Sequence, residues 1–254
     1  MRNLVIGCVG DESLHRSWID ERERKEFALL LVYYGDEKDR WREDADRYLV
    51  KKGSKWHLVS HAADRFDQLL SCYDNIWIPD DDILADTATI NRMFRLFVDH
   101  RLELAQPSLD RASFMSHEIT RQRRMLTLRF TNFVEVMVPI MTRRAFELLR
   151  PSFTENQSGW GLDYYWASQI ESRLDRDCIG ILDAVSVRHT RQIDLEHGRF
   201  YATLKKSPQD DLTELLTRYH LEEKQVEYKR RLGFLGIEFT IPSWGYFRRR
   251  AAAS

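Results

Sequence analysis

The chain has 254 residues, of which 43% are hydrophobic and 31% are charged, a balance typical of a soluble globular protein. Its 39 basic and 40 acidic residues leave a net charge of −1, so no general attraction to nucleic acid is expected and any anion has to bind locally. No window approaches the roughly eighteen consecutive apolar residues of a membrane span, and the start lacks the apolar core of a signal peptide. We therefore expect a cytoplasmic protein that has no transmembrane segment and does not bind nucleic acid.

Strands and helices are predicted to alternate in the first part of the chain. Residues 4–9 and 27–34 are unbroken apolar runs, as in parallel strands that are covered on both faces. The charged residues 38–52 carry spaced apolar positions and predict an amphipathic helix, and residues 56–60 predict a third strand with a helix after it. This order implies βαβ crossovers and a mostly parallel sheet, whose ligands lie beyond the carboxyl ends of the strands.

The most informative stretch is residues 73–83. Its apolar residues 76–78 predict a short buried strand, which is followed by three consecutive aspartates, Asp80, Asp81 and Asp82. In an extended segment alternate side chains share a face, so Asp80 and Asp82 can converge on one point while Asp81 faces away. A divalent cation at that point turns the repulsion between the carboxylates into attraction. We predict a metal site at the end of this strand.

Three further polar residues stand out because of their surroundings. Glu135 interrupts the apolar run of residues 133–141, so it faces either an arginine or a polar cavity. Asp163 follows Gly159-Trp160-Gly161 and lies in the first turn of a predicted helix, where it is either a favourable end charge or a general base. His189 follows a strand predicted over residues 178–187 and is either structural or a metal ligand.

The character of the sequence changes near residue 194. Residues 212–231 are highly charged and helical in pattern, and the last residues form a basic tail. We therefore predict a domain over residues 1–195 and a helical extension over residues 196–254 that packs on it, with a flexible tail at residues 248–254.

Four linked motifs resemble a little-characterised family of glycosyltransferase-like proteins that is labelled as a domain of unknown function. They are Trp77-Ile78-Pro79-Asp80-Asp81-Asp82, Phe133-Val134-Glu135-Val136-Met137-Val138-Pro139, Gly159-Trp160-Gly161-Leu162-Asp163, and Gly180-Ile181-Leu182-Asp183 ahead of His189. That family in turn is similar to the GT-A class of glycosyltransferases, and the resemblance covers residues 1–195. It implies an α/β, Rossmann-like sheet flanked by helices.

The resemblance also implies roles for individual residues. Asp80, Asp82 and His189 would hold Mn²⁺ or Mg²⁺ against the diphosphate of a nucleotide sugar, although the run of three aspartates allows a pair that includes Asp81. Asp163 corresponds to the acceptor-side acid of a Trp-Gly-x-x-Asp motif, and Glu135 is the other candidate base. The nucleotide-side residues would be Val9, Gly10, Asp11, Tyr34 and Asp36, with Asp81 beside them.

The function implied is metal-dependent transfer of a sugar from a nucleoside-diphosphate sugar to a glycan or other hydroxyl acceptor. The same aspartates and metal would also suit a nucleotidyl- or phosphotransferase. A third alternative is a non-catalytic protein that binds a glycan or nucleotide through a relict transferase fold. The residues do not distinguish the donor sugar, the acceptor, the stereochemical outcome or the oligomeric state.

Overall fold

The structure is a computed structural model that describes residues 2–20, 22–192, 204–234 and 237–243. The strands among these residues are β1 (Asn3–Val9), β2 (Phe27–Tyr33), β3 (Arg47–Val50), β4 (Asn75–Trp77), β5 (Ile83–Leu84), β6 (Leu104–Leu109), β7 (Leu128–Thr131), β8 (Ile140–Thr142), β9 (Ile179–His189), β10 (Glu227–Phe234) and β11 (Ile237–Pro242). The helices are α1 (Lys55–Arg65), α2 (Asp67–Leu70), α3 (Thr87–Asp99), α4 (Arg143–Leu149), α5 (Leu162–Arg173) and α6 (Pro208–Arg218).

All the strands belong to one mixed sheet of α/β type. Ten of them follow the order β11-β10-β7-β9-β6-β8-β4-β1-β2-β3, and β5 pairs with β9 outside this path. The strands β4, β1, β2 and β3 form a parallel set, whereas β8, β7, β10 and β11 pair in antiparallel fashion. The parallel core predicted for the first part of the chain is confirmed, and antiparallel strands extend it on one side.

The sheet has an apolar core on each face. Alternate residues of β1 point to opposite sides, so Leu4 and Ile6 join a cluster with Trp56 of α1, whereas Val5 and Val9 join a second cluster. The first cluster also contains buried residues of α4 and α5, and the second contains those of α3. Because both faces are covered, the central strands read as continuous apolar runs.

Two local predictions near α1 are wrong. Residues 38–52 are not a helix: Asp39 and Trp41 have φ of 56° and 67°, a left-handed backbone that interrupts helical geometry, and residues 47–50 instead pair with β2. Residues 56–60 are not a strand but part of α1. The buried positions Trp56, Val59 and Ala63 of this helix recur at helical spacing. A window of only five residues, 56–60, does not reveal that spacing.

Within residues 204–234 and 237–243, the C-terminal region is helical only in its first part. Helix α6 ends at Arg218, whereas residues 227–234 and 237–242, predicted partly as helix, form β10 and β11. Strand β10 pairs with β7, so this region extends the same sheet. The predicted domain boundary at residue 195 and the tail at residues 248–254 lie outside the described residues, and the division into domain and extension stays a prediction. No described helix is long and apolar enough to cross a membrane.

Candidate active site

The ends of β1 and β2 meet at Asp81. The buried Asp81 carboxylate accepts hydrogen bonds from the Gly10 backbone N–H and from the Tyr34 hydroxyl, both at 2.8 Å. A Cβ atom at Gly10 would lie 2.9 Å from the Tyr34 ring, so the close approach favours glycine. Asp81 therefore holds together the loops at the ends of the two strands.

The remaining residues predicted for the nucleotide side lie next to this contact. The Val9 carbonyl accepts from the Tyr34 N–H at 2.9 Å, and Asp11 accepts from the Tyr33 hydroxyl and from the Asp36 N–H. The hydrogen bond from Tyr33 holds the pKa of Asp11 below its usual range. The Asp36 carboxylate instead faces solvent and lies 2.6 Å from the Lys52 ammonium. The backbones of these residues therefore lie together, whereas the side chain of Asp36 points to solvent.

Asp80 is held by Lys55, the first residue of α1. The Lys55 ammonium lies 2.6 Å from Asp80 Oδ1 and donates to the carbonyls of Val136 and Met137 at 2.8 and 2.9 Å. The Lys55 side chain is 16% exposed. Since an ammonium has three protons, these three contacts use all of its donors. Lys55 thus ties the aspartate run to the segment that carries Glu135.

Asp82 meets His189 because β5 pairs with the end of β9. The register places Ile83 opposite His189, and His189 Nε2 lies 3.2 Å from Asp82 Oδ2. Burial lowers the pKa of His189, but the hydrogen bond and charge of Asp82 outweigh it and raise the pKa to about 9. His189 Nδ1 lies 2.7 Å from the Phe114 carbonyl, which leaves Nε2 directed at the aspartate. The two side chains are therefore in contact, and their role as metal ligands stays a prediction.

Glu135 is buried within the apolar run that follows β7. Its backbone N–H donates to Gln106 Oε1 at 2.6 Å, while its Oε2 atom is buried without a hydrogen-bond partner among the described residues. Burial raises the pKa of Glu135 to about 8, and the charge of Asp163 adds to the rise. The positive charges of His189 and Lys55 lower the pKa of Glu135, so both acidic and cationic side chains of the site influence its protonation.

Asp163 lies in the first turn of α5 and is also buried. Gly161 precedes the helix with φ of 91°, a conformation that suits glycine, and the Tyr164 N–H donates to Asp163 Oδ1 at 3.0 Å. Burial raises the pKa of Asp163 to about 7, although hydrogen bonds from the backbone N–H groups lower it. The site therefore contains two buried carboxyl groups whose pKa values lie near neutrality.

Three site residues were not predicted from the sequence. Lys55 lies between the helix predicted over residues 38–52 and the strand predicted over residues 56–60, and Gln106 carries no motif. Arg191 follows His189 by two positions; its guanidinium donates to the Glu12 carbonyl at 2.5 Å and lies 3.7 Å from Asp81 Oδ1. Only Arg191 had a usable signal, because it stands at the same strand end as a predicted ligand.

The carboxylate of Asp82 and the imidazole of His189 can both bind a divalent cation, which would displace the proton of His189 Nε2. Asp82 Oδ1 is buried and has no hydrogen-bond partner among the described residues, and His189 Nε2 is oriented by the bond that Nδ1 makes to a carbonyl. Across the described ranges, however, no group of three or more His, Cys, Asp or Glu side chains is arranged to hold a metal ion. Asp80 does not complete such a set because it is paired with Lys55.

Comparison with known proteins shows the fold of the chain and its family. Glucosyl-3-phosphoglycerate synthase from Mycobacterium tuberculosis, solved with Mn²⁺, UDP and phosphoglyceric acid, matches 95% of this chain and 87% of its own, with a TM-score of 0.54 and 13% identity. A second mycobacterial protein matches 95% of this chain and 84% of its own, with a TM-score of 0.52 and 14% identity. Staphylococcus aureus TarS matches 86% of this chain but only 43% of its own, with a TM-score of 0.51 and 12% identity.

These likenesses show the fold of GT-A glycosyltransferases and leave the reaction open. No curated protein sequence matches the chain. The family model described as "Protein of unknown function (DUF707)" matches residues 3–130, about half of the chain. The resemblance stated from the four motifs is thereby confirmed, and the chain belongs to this DUF707 family and has a GT-A glycosyltransferase fold.

Proposed function

We propose that the protein is a metal-dependent glycosyltransferase that moves a sugar from a nucleoside-diphosphate sugar to an acceptor hydroxyl. The observation that carries this proposal is the pair of buried carboxyl groups, Glu135 and Asp163, beside the Asp82–His189 contact. Their pKa values near neutrality suit proton transfer at physiological pH. The GT-A fold supports the reaction class, since its solved neighbours include a synthase with bound Mn²⁺ and a UDP-sugar.

The donor would bind across the ends of β1, β2 and β4. The backbones at Val9, Gly10 and Asp11 and those at Tyr34 and Asp36 would contact the nucleotide. In this proposal Asp81 shapes the nucleotide side through Gly10 and Tyr34, and it does not bind metal. The cation, Mn²⁺ or Mg²⁺, would be held by Asp82 and His189 and would take further ligands from the diphosphate, with Asp80 near it.

The chemistry of the transfer follows from these positions. The bond between the sugar's anomeric carbon and the diphosphate oxygen breaks, its electron pair stays on the diphosphate, and the acceptor oxygen bonds to the anomeric carbon. A bound divalent cation would offset the charge that develops on the departing diphosphate. Asp163 takes the proton of the acceptor hydroxyl, and Glu135 is the alternative base.

Burial explains why a carboxylate can serve as the base. A solvated aspartate with a pKa near 4 is a weak base at neutral pH. The raised pKa of Asp163, about 7, makes its ionised form both available and basic enough to accept a proton. Glu135, with a pKa of about 8, is largely protonated at pH 7 and would donate a hydrogen bond to the substrate from its otherwise unpartnered carboxyl group.

Calorimetric titration with UDP and with GDP, each with and without Mn²⁺, tests the donor and metal assignments. We expect Mn²⁺ to tighten binding of one nucleotide, and the separate variants Asp82→Ala and His189→Ala to weaken the Mn²⁺-dependent part at least about tenfold, the scale of effects at metal sites. Asp64→Ala is the matched control, because it removes a largely exposed carboxylate from the opposite end of α1. Binding that is indifferent to Mn²⁺ and to both variants would contradict the metal role.

Product analysis separates the proposal from its alternatives. Incubation with UDP- and GDP-sugars should release nucleoside diphosphate slowly even without an acceptor, and Asp163→Asn should abolish transfer while leaving nucleotide binding nearly intact. Turnover of a nucleoside triphosphate without sugar release would instead indicate a nucleotidyl- or phosphotransferase. Nucleotide-sugar binding without any turnover would indicate a binding protein.

A further inference from the structure

A short C-terminal segment, residues 224–226, is fixed beside the two candidate bases. The Asn132 backbone N–H donates to the Val226 carbonyl at 3.1 Å, and the Val226 N–H donates back to Asn132 Oδ1 at 2.6 Å. The Asn132 amide also donates to the Lys224 carbonyl at 2.8 Å. Because Asn132 immediately precedes the run that contains Glu135, these three bonds hold the segment against that run.

Gln225 is thereby placed between two side chains of the site. Its Nε2 lies 2.7 Å from His117 Nδ1 and 3.3 Å from the Tyr164 hydroxyl. Burial lowers the pKa of His117, so the ring is neutral at physiological pH, and accepting at Nδ1 leaves its Nε2–H as a donor. The ring of Phe133 packs edge-on against both His117 and Tyr164, with centroids 4.7 and 5.1 Å away. Amide, imidazole, phenol and aromatic ring therefore form one continuous wall.

The carboxyl groups next to this wall are close enough to repel one another. Tyr164 directly follows Asp163, the charge of Glu223 raises the pKa of Asp163, and the charge of Asp163 raises that of Glu135. In addition, Glu135 Oε2 is a buried oxygen that has no hydrogen-bond partner within the described ranges. A substrate hydroxyl can pair with such an atom, whereas a phosphate or carboxylate beside it would be repelled by the ionised form of Asp163.

We propose that residues 224–226 form the acceptor wall, with Gln225 as a specificity-determining residue, and that the acceptor is an uncharged polyhydroxylated compound such as a sugar or glycan. This inference rests on the proposed function. The amide of Gln225, the imidazole of His117 and the hydroxyl of Tyr164 are uncharged hydrogen-bonding groups, which suit the hydroxyl groups of a sugar. Phosphoglyceric acid, bound by the mycobacterial synthase, belongs to the opposite class of acceptor.

Acceptor binding is tested by calorimetry on the full chain with Mn²⁺ and UDP present. The probes are neutral nitrophenyl glycosides, their 6-phosphates and phosphoglyceric acid. We expect the neutral glycosides to bind more tightly than either anionic class, and Gln225→Ala to weaken them about tenfold, as for the loss of a hydrogen bond worth about 1.4 kcal/mol. The affinity for UDP should not change in Gln225→Ala. Gln209→Ala, which removes an exposed glutamine from α6, should alter neither affinity.

A charge reversal provides the second test, since Glu223 is exposed and its replacement does not disturb the core. Glu223→Lys should shift the ratio of affinities toward the 6-phosphates by about tenfold, a change typical of one charge contact. Tighter binding of the anionic probes to the wild-type chain, or no effect of Gln225→Ala on the glycosides, would overturn this inference while leaving metal-dependent UDP binding intact. Absence of metal-dependent UDP binding would overturn the proposed function and this inference together.

Discussion

At the scale of single residues, burial is what turns ordinary carboxylates into candidate bases. The sequence left Asp163 as either a helix-end charge or a base. In the fold it accepts hydrogen bonds from the first turn of α5, as an end charge does, yet burial outweighs them and raises its pKa to about 7. Local sequence predicts the hydrogen bonds because they are made within one turn. Asp163 is buried by residues that are distant in sequence, so the local sequence does not predict its burial.

The raised pKa has a consequence for stability. Because the pKa of Asp163 in the folded chain, about 7, lies above the usual 3.8, its ionised form destabilises the fold as the pH rises from about 4 to 7. We expect Asp163→Asn to be more stable than the wild type, by an amount that grows by about 2–3 kcal/mol between pH 5 and pH 8. Urea denaturation at both pH values measures this difference. A stability gap that does not change with pH would contradict the raised pKa.

At the scale of elements, a buried ion pair shapes the strand that carries His189. Arg129 of β7 and Asp183 of β9 are both fully buried, with Nε 2.7 Å from Oδ2. Asp183 also accepts from the Arg123 N–H at 2.8 Å. The pairing of β6 with β9 is interrupted at this point, between Pro107 and Ser108. Beyond the irregularity β9 continues to β5, so the ion pair stabilises the bend that brings His189 to Asp82.

Removing one partner of this pair should therefore be costly. We expect Arg129→Met to lower the free energy of unfolding by about 3–5 kcal/mol, because it leaves Asp183 buried without its cation. The double variant Arg129→Met with Asp183→Leu should recover much of that loss. Arg218→Met is the control, since Arg218 pairs with Glu155 at the surface and its loss should cost about 1 kcal/mol or less. Equal costs for the buried and exposed pairs, measured by chemical denaturation, would contradict this account.

At the scale of the whole molecule, the candidate site joins parts of the chain that are distant in sequence. The proposed donor side would come from the ends of β1, β2 and β4, and the proposed acceptor side from the residues after β7, the start of α5 and the segment before β10. Strand β10 pairs with β7 through Arg230 opposite Arg129, so it also covers the strand that carries the buried ion pair. Donor, acceptor and C-terminal regions thus share one sheet.

A ligand that bridges these parts should stabilise the molecule as a unit. We expect Mn²⁺ and UDP together to raise the melting temperature more than the sum of their separate effects. At a concentration of about 100 times Kd the stabilisation would be about 2.7 kcal/mol, or several degrees for a chain of this size. Thermal unfolding of the wild type and of Asp82→Ala measures it. A strictly additive shift, or one retained in Asp82→Ala, would contradict a shared cation and nucleotide site.

Particular residues show what the sequence by itself determined. The apolar runs of β1, β2 and β9 predicted these strands correctly, since burial on both faces leaves a continuous apolar pattern, and the helix predicted at Asp163 is α5. The candidate residues at strand ends were found because ligands of parallel sheets gather there. Residues 56–60 were misassigned because a short apolar window does not distinguish a buried helix from a strand. Residues 38–52 were misassigned because their apolar spacing does not reveal the left-handed backbone at Asp39 and Trp41.

The tertiary structure alone decided which of these residues meet. Pairing of β5 with β9 makes His189 the partner of Asp82. Lys55 pairs with Asp80, and Gly10 and Tyr34 donate hydrogen bonds to Asp81. Lys55 and Gln225 reach the site through contacts about 25 and 60 to 110 residues away along the chain. Sequence patterns record the burial and local geometry of each segment, whereas contacts between distant segments depend on strand order and register, which no local pattern encodes.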